Sequence, residues 1–347
     1  MKSANKNNTL PIALSMGDPA GIGPEITARA WAKLHQERIS FFLIGDLELA
    51  QQQATRLGLP APIAISDPLQ AIQIMPSAMP VLPLSLAAPV MAGSPDTANA
   101  PMVIASIEKA AHLVMNGQAS ALVTNPIAKS VLYEAGFAHP GHTEFLGELA
   151  KEAKVWPRPH GPIMMLCGGG LRVALVTVHI PLHQVPGTLS KDNIMQAAQV
   201  LHQALKRDFG LENPRLALCG LNPHAGENGT MGEEELKIIN PAATDLRAQG
   251  INITDAQPAD ALFREDARAG YDAVLALYHD QGLIPVKTLD FHGGINATLG
   301  LPFIRVSPDH GTGFAIAGQG IARPDSLIAA LREAASMSTH RQAHDRA

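Results

Sequence analysis

A chain of 347 residues, 46% hydrophobic and 16% charged, holds enough apolar side chain for one large or two medium α/β domains and is not a disordered sequence. A formal net charge of −5 and an aromatic content of 4% exclude the basic or base-stacking surface of a nucleic-acid binder. The opening MKSANKNNTL is polar, and Pro, Gly or charge interrupts every apolar run before it reaches about 18 residues. Neither a secretory leader nor a membrane span is expected, and a cytoplasmic enzyme is. Cys167 and Cys219 each sit in an apolar, strand-like segment and read as buried free thiols.

In chain order, short apolar runs alternate with helical patterns, the signature of a largely parallel sheet covered by helices. Pro11 to Gly17 reads as a strand. After the loop DPAGIG, Pro24 stands at a first helical position, ahead of Ile26, Ala30 and Leu34. FFLIGD and ALVTNP are further strands, the latter leading through Asn125 and Pro126 into a helix closed by Gly136. RVALVTVH is another strand. Ser190 caps a helix carrying Ile194, Ala197, Leu201 and Leu205, which Gly210 ends. RLALCGLNPH and AVLALYHD are two more strands. Asp325 or Ser326 starts a last helix, and the polar tail from about Ser338 is expected to fray. Pro76 to Pro101 reads as a crossover and WPRPHGP as a surface loop.

Fourteen histidines occur. His35, His112 and His202 lie in helical patterns, His340 and His344 in the tail, and His160 and His183 in loops, so each reads as solvated or locally satisfied. His179, His224 and His279 differ, because each ends or closely follows an apolar strand (ALVTVH, LALCGLNPH, VLALYH). Ligands of open α/β sheets bind beyond the carboxyl ends of the strands, where three such imidazoles can converge. Their wide spacing argues against a small structural zinc module. Three nitrogen donors suit a catalytic Zn²⁺ or Co²⁺, whereas Mg²⁺ prefers oxygen. Asp280 can orient the adjacent imidazole or stand in solvent.

GDPAGIGPE places glycines between a strand and a helix N-terminus, a weak anion-binding signal. It is not GxGxxG, and no Walker loop occurs. Lys287, Asn296 and Arg305 suit a phosphate or carboxylate and a hydroxyl. Thr143 caps a helix from Glu144 or, with His142, faces a ligand.

SMGDPAGIGPE, TNPIAKSVLYEAG, PGHTEFL, VTVHIPL, CGLNPHAGENGTMG, PADALF, YHDQGLIPVK, NATLGLPFIR and DHGTGFAIAGQG together resemble the 4-hydroxythreonine-4-phosphate dehydrogenase family of pyridoxal-phosphate biosynthesis, from about Leu10 to Leu331. The resemblance implies an α/β fold like that of isocitrate and isopropylmalate dehydrogenases, two α/β/α domains with a cleft between them. Approximate boundaries are 1–125 plus 288–347 for a cofactor-side domain and 126–287 for a metal, substrate and dimerisation domain. It implies one divalent ion (Zn²⁺, Co²⁺ or Mg²⁺) on His179, His224 and His279. The substrate, a small phosphorylated hydroxy amino acid, would lie on His142, Thr143, Lys287, Asn296 and Arg305. NAD or NADP would lie along His310, Gly311, Thr312, Gly318 and Gly320, and the proton acceptor would be Lys287 or Asp280. It also implies a homodimer whose metal site is completed across the interface, with His279 contributed by the partner. Two other activities stay open at this point: dehydrogenation of D-threonate or D-erythronate 4-phosphate, and metal-dependent phosphate hydrolysis with the same histidines activating water.

Overall fold

The computed structural model describes residues 10–346 apart from 140, 141, 154 and 157, and only the backbone of 142 and 143. The chain divides into two compact units, Met1–Ala153 with Pro302–Thr339, and Lys154–Leu301 with His340–Ala347. The divisions fall at 153/154, 301/302 and 339/340, where the sequence reading expected 125/126 and 287/288.

In the first unit the order is β1 (Ile12–Ser15), α1 (Gly23–Leu34), β2 (Phe41–Gly45), α2 (Leu47–Arg56), β3 (Ile63–Ala64), α3 (Gln70–Ile74), β4 (Pro80–Pro83), α4 (Ala100–Met115), β5 (Leu122–Thr124), α5 (Lys129–Glu134) and α6 (His142–Ala150). The second unit carries β6 (Ile163–Gly168), β7 (Leu171–Leu175), α7 (Val185–Thr188), α8 (Lys191–Arg207), β8 (Arg215–Cys219), α9 (Asn240–Ala248), β9 (Asn252–Gln257), α10 (Ala259–Leu262), α11 (Glu265–Arg268), β10 (Ala273–Ala276), α12 (His279–Leu289) and β11 (Ile295–Leu299). The chain then returns to the first unit with β12 (Arg305–Pro308) and most of α13 (Asp325–His344), whose residues from His340 on belong to the second unit.

The strands of the first unit lie in the order β3-β4-β2-β1-β5-β12, and every pairing is parallel. Every residue of β1 and β2 is buried, the pattern of a parallel sheet covered on both faces. In the second unit the order is β11-β6-β7-β10-β8-β9. Here β7, β10, β8 and β9 run parallel, whereas β6 is antiparallel to both β11 and β7. Gly169 and Gly170, with φ of 57° and 81°, make the tight reversal of that hairpin. Mixed α/β architecture is therefore as expected, with one reversed strand that the apolar runs do not reveal.

Three local expectations change. The helix after ALVTNP begins at Lys129 rather than at Asn125 or Pro126, and the Asn125 side chain instead ties β5 to β1 and α1, its Nδ2 donating to Ser15 O and Thr27 Oγ1. The helix of PGHTEFL begins at His142, so Thr143 lies in its first turn rather than capping it. The tail does not fray at Ser338: α13 runs to His344. Arg341 forms a two-pronged ion pair with Asp208, at 2.6 and 2.8 Å, and Arg207 forms another with Asp345, holding the last turn against α8. The thiol of Cys219 is buried, which pushes its pKa well above the ordinary range and leaves it a small core hydrophobe. No helix among the described residues is long and apolar enough to cross a membrane.

Candidate active site

The three singled-out histidines all follow parallel strands of the second unit. His179 stands four residues beyond β7 in a loop, His224 five beyond β8, and His279 three beyond β10 at the start of α12. The strand ends are laced together by hydrogen bonds. Val176 and Thr177 donate their N–H groups to Ala276 O and Leu277 O, and Thr177 Oγ1 donates to Leu277 O at 2.7 Å. On the other side of β10, Gln281 accepts the Leu277 N–H at 2.8 Å and donates Nε2 to Gly220 O at 2.7 Å. One chain of bonds thus runs from two residues before His179, past the segment that carries His279, to four residues before His224.

Packing brings two of the imidazoles together. Leu283 and Val286 of α12 join a buried cluster with Val173 and Leu175 of β7 and Val274 and Ala276 of β10. Gly282 faces β7 so closely that a β-carbon there would stand 2.6 Å from Leu175 Cδ2 and 3.0 Å from Val173 Cγ1. The helix can approach because that side chain is missing. The rings of His179 and His279 lie with centroids 5.6 Å apart. Both line a pocket of about 410 Å³ with Val178, Ile180, Leu182, Val185, Tyr278 and Asp280. Asp280 Oδ1 meets His279 Nδ1 at 2.7 Å, the arrangement in which a carboxylate fixes an imidazole that ligates through Nε2. Burial and the neighbouring Asp280 contribute to raising the Tyr278 pKa, so its hydroxyl stays protonated at neutral pH.

His224 is exposed, on a turn with φ of 53°. Among the described residues, no group of three or more His, Cys, Asp or Glu is close enough to hold a metal. A single chain therefore offers a pair of imidazoles, a donor set that suits Zn²⁺ or Co²⁺ but needs further ligands.

The expected substrate residues divide between the units. Lys287, on α12, is half-buried, with Nζ 6.0 Å from the centroid of the Phe291 ring. Asn296, on β11, has a buried Oδ1 without a hydrogen-bond partner among the described residues. An acceptor so placed is costly unless a ligand or water meets it. In the first unit Arg305 is 3% exposed on β12 and donates Nη2 to Thr124 Oγ1 at 2.7 Å. Burial lowers its pKa to about 10, which leaves it charged at neutral pH. His142 and Thr143 stand on the first turn of α6; their side chains lie outside the described residues.

His310 to Gly320 connect β12 to α13, and this stretch packs on the glycine-rich loop after β1. Ile22 donates its N–H to Thr312 O at 2.8 Å, and a β-carbon on Gly21 would stand 2.7 Å from that same oxygen. Gly318, with φ of 74°, passes Ala92 just as closely. His310 is exposed and its Nδ1 meets Gly311 O at 3.0 Å. The anion-binding reading of GDPAGIGPE weakens here. The N–H groups of Ala20, Gly21 and Ile22 are already taken by Asp18 Oδ1, Asp18 O and Thr312 O. Asp18 also puts its own carboxyl into the loop, and burial raises its pKa.

Sequence reasoning missed Thr177, Gln281 and Gly282, none of which belongs to a recognisable ligand spacing. A larger groove of about 740 Å³, lined by Arg158, His160, His202 and several glutamines, holds none of the candidate residues.

The family model described as pyridoxal phosphate biosynthetic protein PdxA matches residues 37–334. The 4-hydroxythreonine-4-phosphate dehydrogenase of Maricaulis maris is 56% identical over 332 residues, covering 94% of this chain and 97% of that protein. The crystal structure of 4-hydroxythreonine-4-phosphate dehydrogenase from Klebsiella pneumoniae has a TM-score of 0.84 at 35% identity, covering 95% of this chain and all of that one. A terephthalate 1,2-cis-dihydrodiol dehydrogenase from Burkholderia xenovorans is more distant, with a TM-score of 0.65 at 28% identity over 95% of this chain and 98% of that one. With a matching family model over most of its length and a near-full-length relative at 56% identity, the chain belongs to the PdxA family of pyridoxal phosphate biosynthetic proteins.

Proposed function

We propose that this protein oxidises 4-phosphooxy-L-threonine at its C3 hydroxyl, passing hydride to NAD⁺ or NADP⁺ in a cytoplasmic homodimer. The observation that carries the reading is the 56% identity to a dehydrogenase of that substrate over nearly the whole of both chains. The C3 hydrogen leaves as hydride and the hydroxyl proton passes to a base. The product, 2-amino-3-oxo-4-phosphooxybutanoate, is a β-keto acid that loses CO₂ to give 3-amino-2-oxopropyl phosphate.

His179, His224 and His279 would hold one divalent ion, Zn²⁺, Co²⁺ or Mg²⁺. When bound, it supplies positive charge that stabilises the substrate oxygen as hydride leaves. Asp280 on the His279 ring, and the placement of all three imidazoles just beyond strand ends, support this donor set. Completion of the site by a second copy of the chain supplies what one chain does not group, and His279 remains the proposed contribution across that interface.

Arg305, charged and buried, and Lys287 would neutralise the phosphate and carboxylate, with His142 and Thr143 positioning them. Asn296 Oδ1, lacking a partner among the described residues, would accept a hydrogen bond from the substrate. Lys287 and Asp280 are the proposed proton acceptors. His310, Gly311, Thr312, Gly318 and Gly320 would contact the nicotinamide cofactor through their backbone. The test is cofactor reduction by metal-loaded protein with 4-phosphooxy-L-threonine beside D-threonate and D-erythronate 4-phosphates. Reduction without phosphate release, fastest with the first, is expected. Phosphate release without reduction would assign a hydrolase instead.

A further inference from the structure

The turn that carries His224 has a backbone that L-residues adopt singly rather than in runs. His224, Ala225, Glu227 and Asn228 have φ of 53°, 52°, 41° and 53°, and Gly226 among them has 77°. Each non-glycine residue held this way is strained, so surrounding contacts have to over-determine the turn. Glu235 ties down the backbone that leads into the run and packs against Gly226 within it. It is 1% exposed, in the short wide-turn helix Glu235–Ile239. Its Oε1 accepts the N–H groups of both Leu221 and Asn222 at 2.8 Å. Its Oε2 accepts Asn222 Nδ2 at 2.9 Å, a group that Glu234 also holds at 2.7 Å. The carboxylate is packed directly under the left-handed run: a β-carbon on Gly226 would stand 2.6 Å from Oε2, and one on Gly220 would stand 3.3 Å from Oε1. Among the described residues none of these partners is a cation, so the negative charge is met by three amide donors.

We propose that Glu235 is the positioning residue for His224, a buried carboxylate that locks the left-handed turn and so fixes the direction of the imidazole. The proposal rests on His224 being a metal ligand. Only a carboxylate presents acceptors on both oxygens. A glutamine in its place turns an NH₂ towards one of the donors and leaves a buried group unsatisfied. An aspartate, one methylene shorter, cannot reach all three.

The experiment is Co²⁺ titration of full-length Glu235→Gln, His224→Ala and wild type. It is read by affinity and by the visible absorption of the bound ion, with amide hydrogen exchange of the turn measured on the metal-free proteins. Glu235→Gln is expected to weaken Co²⁺ binding by about tenfold to a hundredfold, the range for partners of metal ligands. The absorption should shift and exchange across 223–229 should rise. Gly226→Ala, which drives a methyl into the carboxylate, should reproduce these changes if Glu235→Gln does not fold. Wild-type affinity, spectrum and exchange in the variants would overturn the proposal, as would a lower melting temperature with affinity and spectrum unchanged. If His224→Ala itself binds Co²⁺ like wild type, the metal reading of His224 fails, and unchanged exchange in Glu235→Gln would then overturn the clamp separately.

Discussion

Gln281 Nε2 donates to the carbonyl of Gly220 at 2.7 Å, and this one bond joins the helix that opens with His279 to the strand end that leads to His224. The same side chain accepts the Leu277 N–H, so a single buried amide serves two backbone groups at the mouth of the sheet. Gln281→Leu leaves both unsatisfied at a cost of about 1–3 kcal/mol for each buried group. A lowered denaturation midpoint together with weaker Co²⁺ binding is the expected outcome. Gln281→Glu keeps the acceptor for Leu277 but sets a buried carboxylate oxygen against the Gly220 carbonyl, and should destabilise at least as much as Gln281→Leu.

Gly282 sets how near α12 comes to β7. Gly282→Ala would place a methyl 2.6 Å from Leu175 Cδ2, so in this buried cluster either the leucine or the helix has to shift, at a cost of about 1–3 kcal/mol. His279 opens that helix, so the 5.6 Å pairing with His179 should widen. Chemical denaturation reads the first effect, and metal affinity the second. A variant with wild-type values for both would show that the contact is relieved locally.

Asp280 fixes His279 through the 2.7 Å contact at Nδ1. Asp280→Ala frees the ring, and metal affinity should drop by about tenfold to a hundredfold with little change in melting temperature, since the carboxylate is itself largely exposed. If Asp280 is instead the proton acceptor, turnover falls while metal affinity holds. Measuring both separates the roles.

Asp18 carries a stability prediction with a definite sign. Burial raises its pKa in the folded protein, so the folded state holds this proton more tightly than the unfolded state. Stability therefore falls as pH rises from the usual aspartate range through the raised value, and the full cost is present at neutral pH. Asp18→Asn keeps an acceptor for the Ala20 N–H and removes the charge. It should melt higher than wild type at neutral pH and equally at about pH 3.

Arg341 and Asp208 form a largely buried pair. Asp208→Asn leaves the guanidinium without its counter-charge, and a loss of about 3 kcal/mol is expected. Faster amide exchange over the last two turns of α13 should accompany it. Exchange unchanged there would show that the helix end is held by packing alone.

Much of the site was legible as residue types at strand ends. Apolar runs broken by Gly, Pro and Asp located β7, β8 and β10 and placed a histidine just after each, because the short-range alternation of strand and turn is written in neighbouring residues. The reversed strand β6 was not legible, since its run IMMLCG has the composition of a buried parallel strand and only its partners set its direction. The persistence of α13 to His344 was hidden for a similar reason: the tail is polar in sequence, and its stability comes from Asp208 and Arg207, more than a hundred residues away.

The sequence by itself determined the family, the α/β alternation and the set of imidazoles, for these follow from motifs and local patterning. Tertiary structure alone decided which of them meet and how they are held. That His179 and His279 pair depends on a missing side chain at Gly282, and the tie from His279 to the His224 strand depends on Gln281 reaching Gly220. The burial of Glu235 beside the left-handed turn of His224 is not marked by any motif in the run MGEEEL. Each is a contact between distant segments, and such contacts are selected by packing and by the cost of unpaired buried polar groups rather than by local preference.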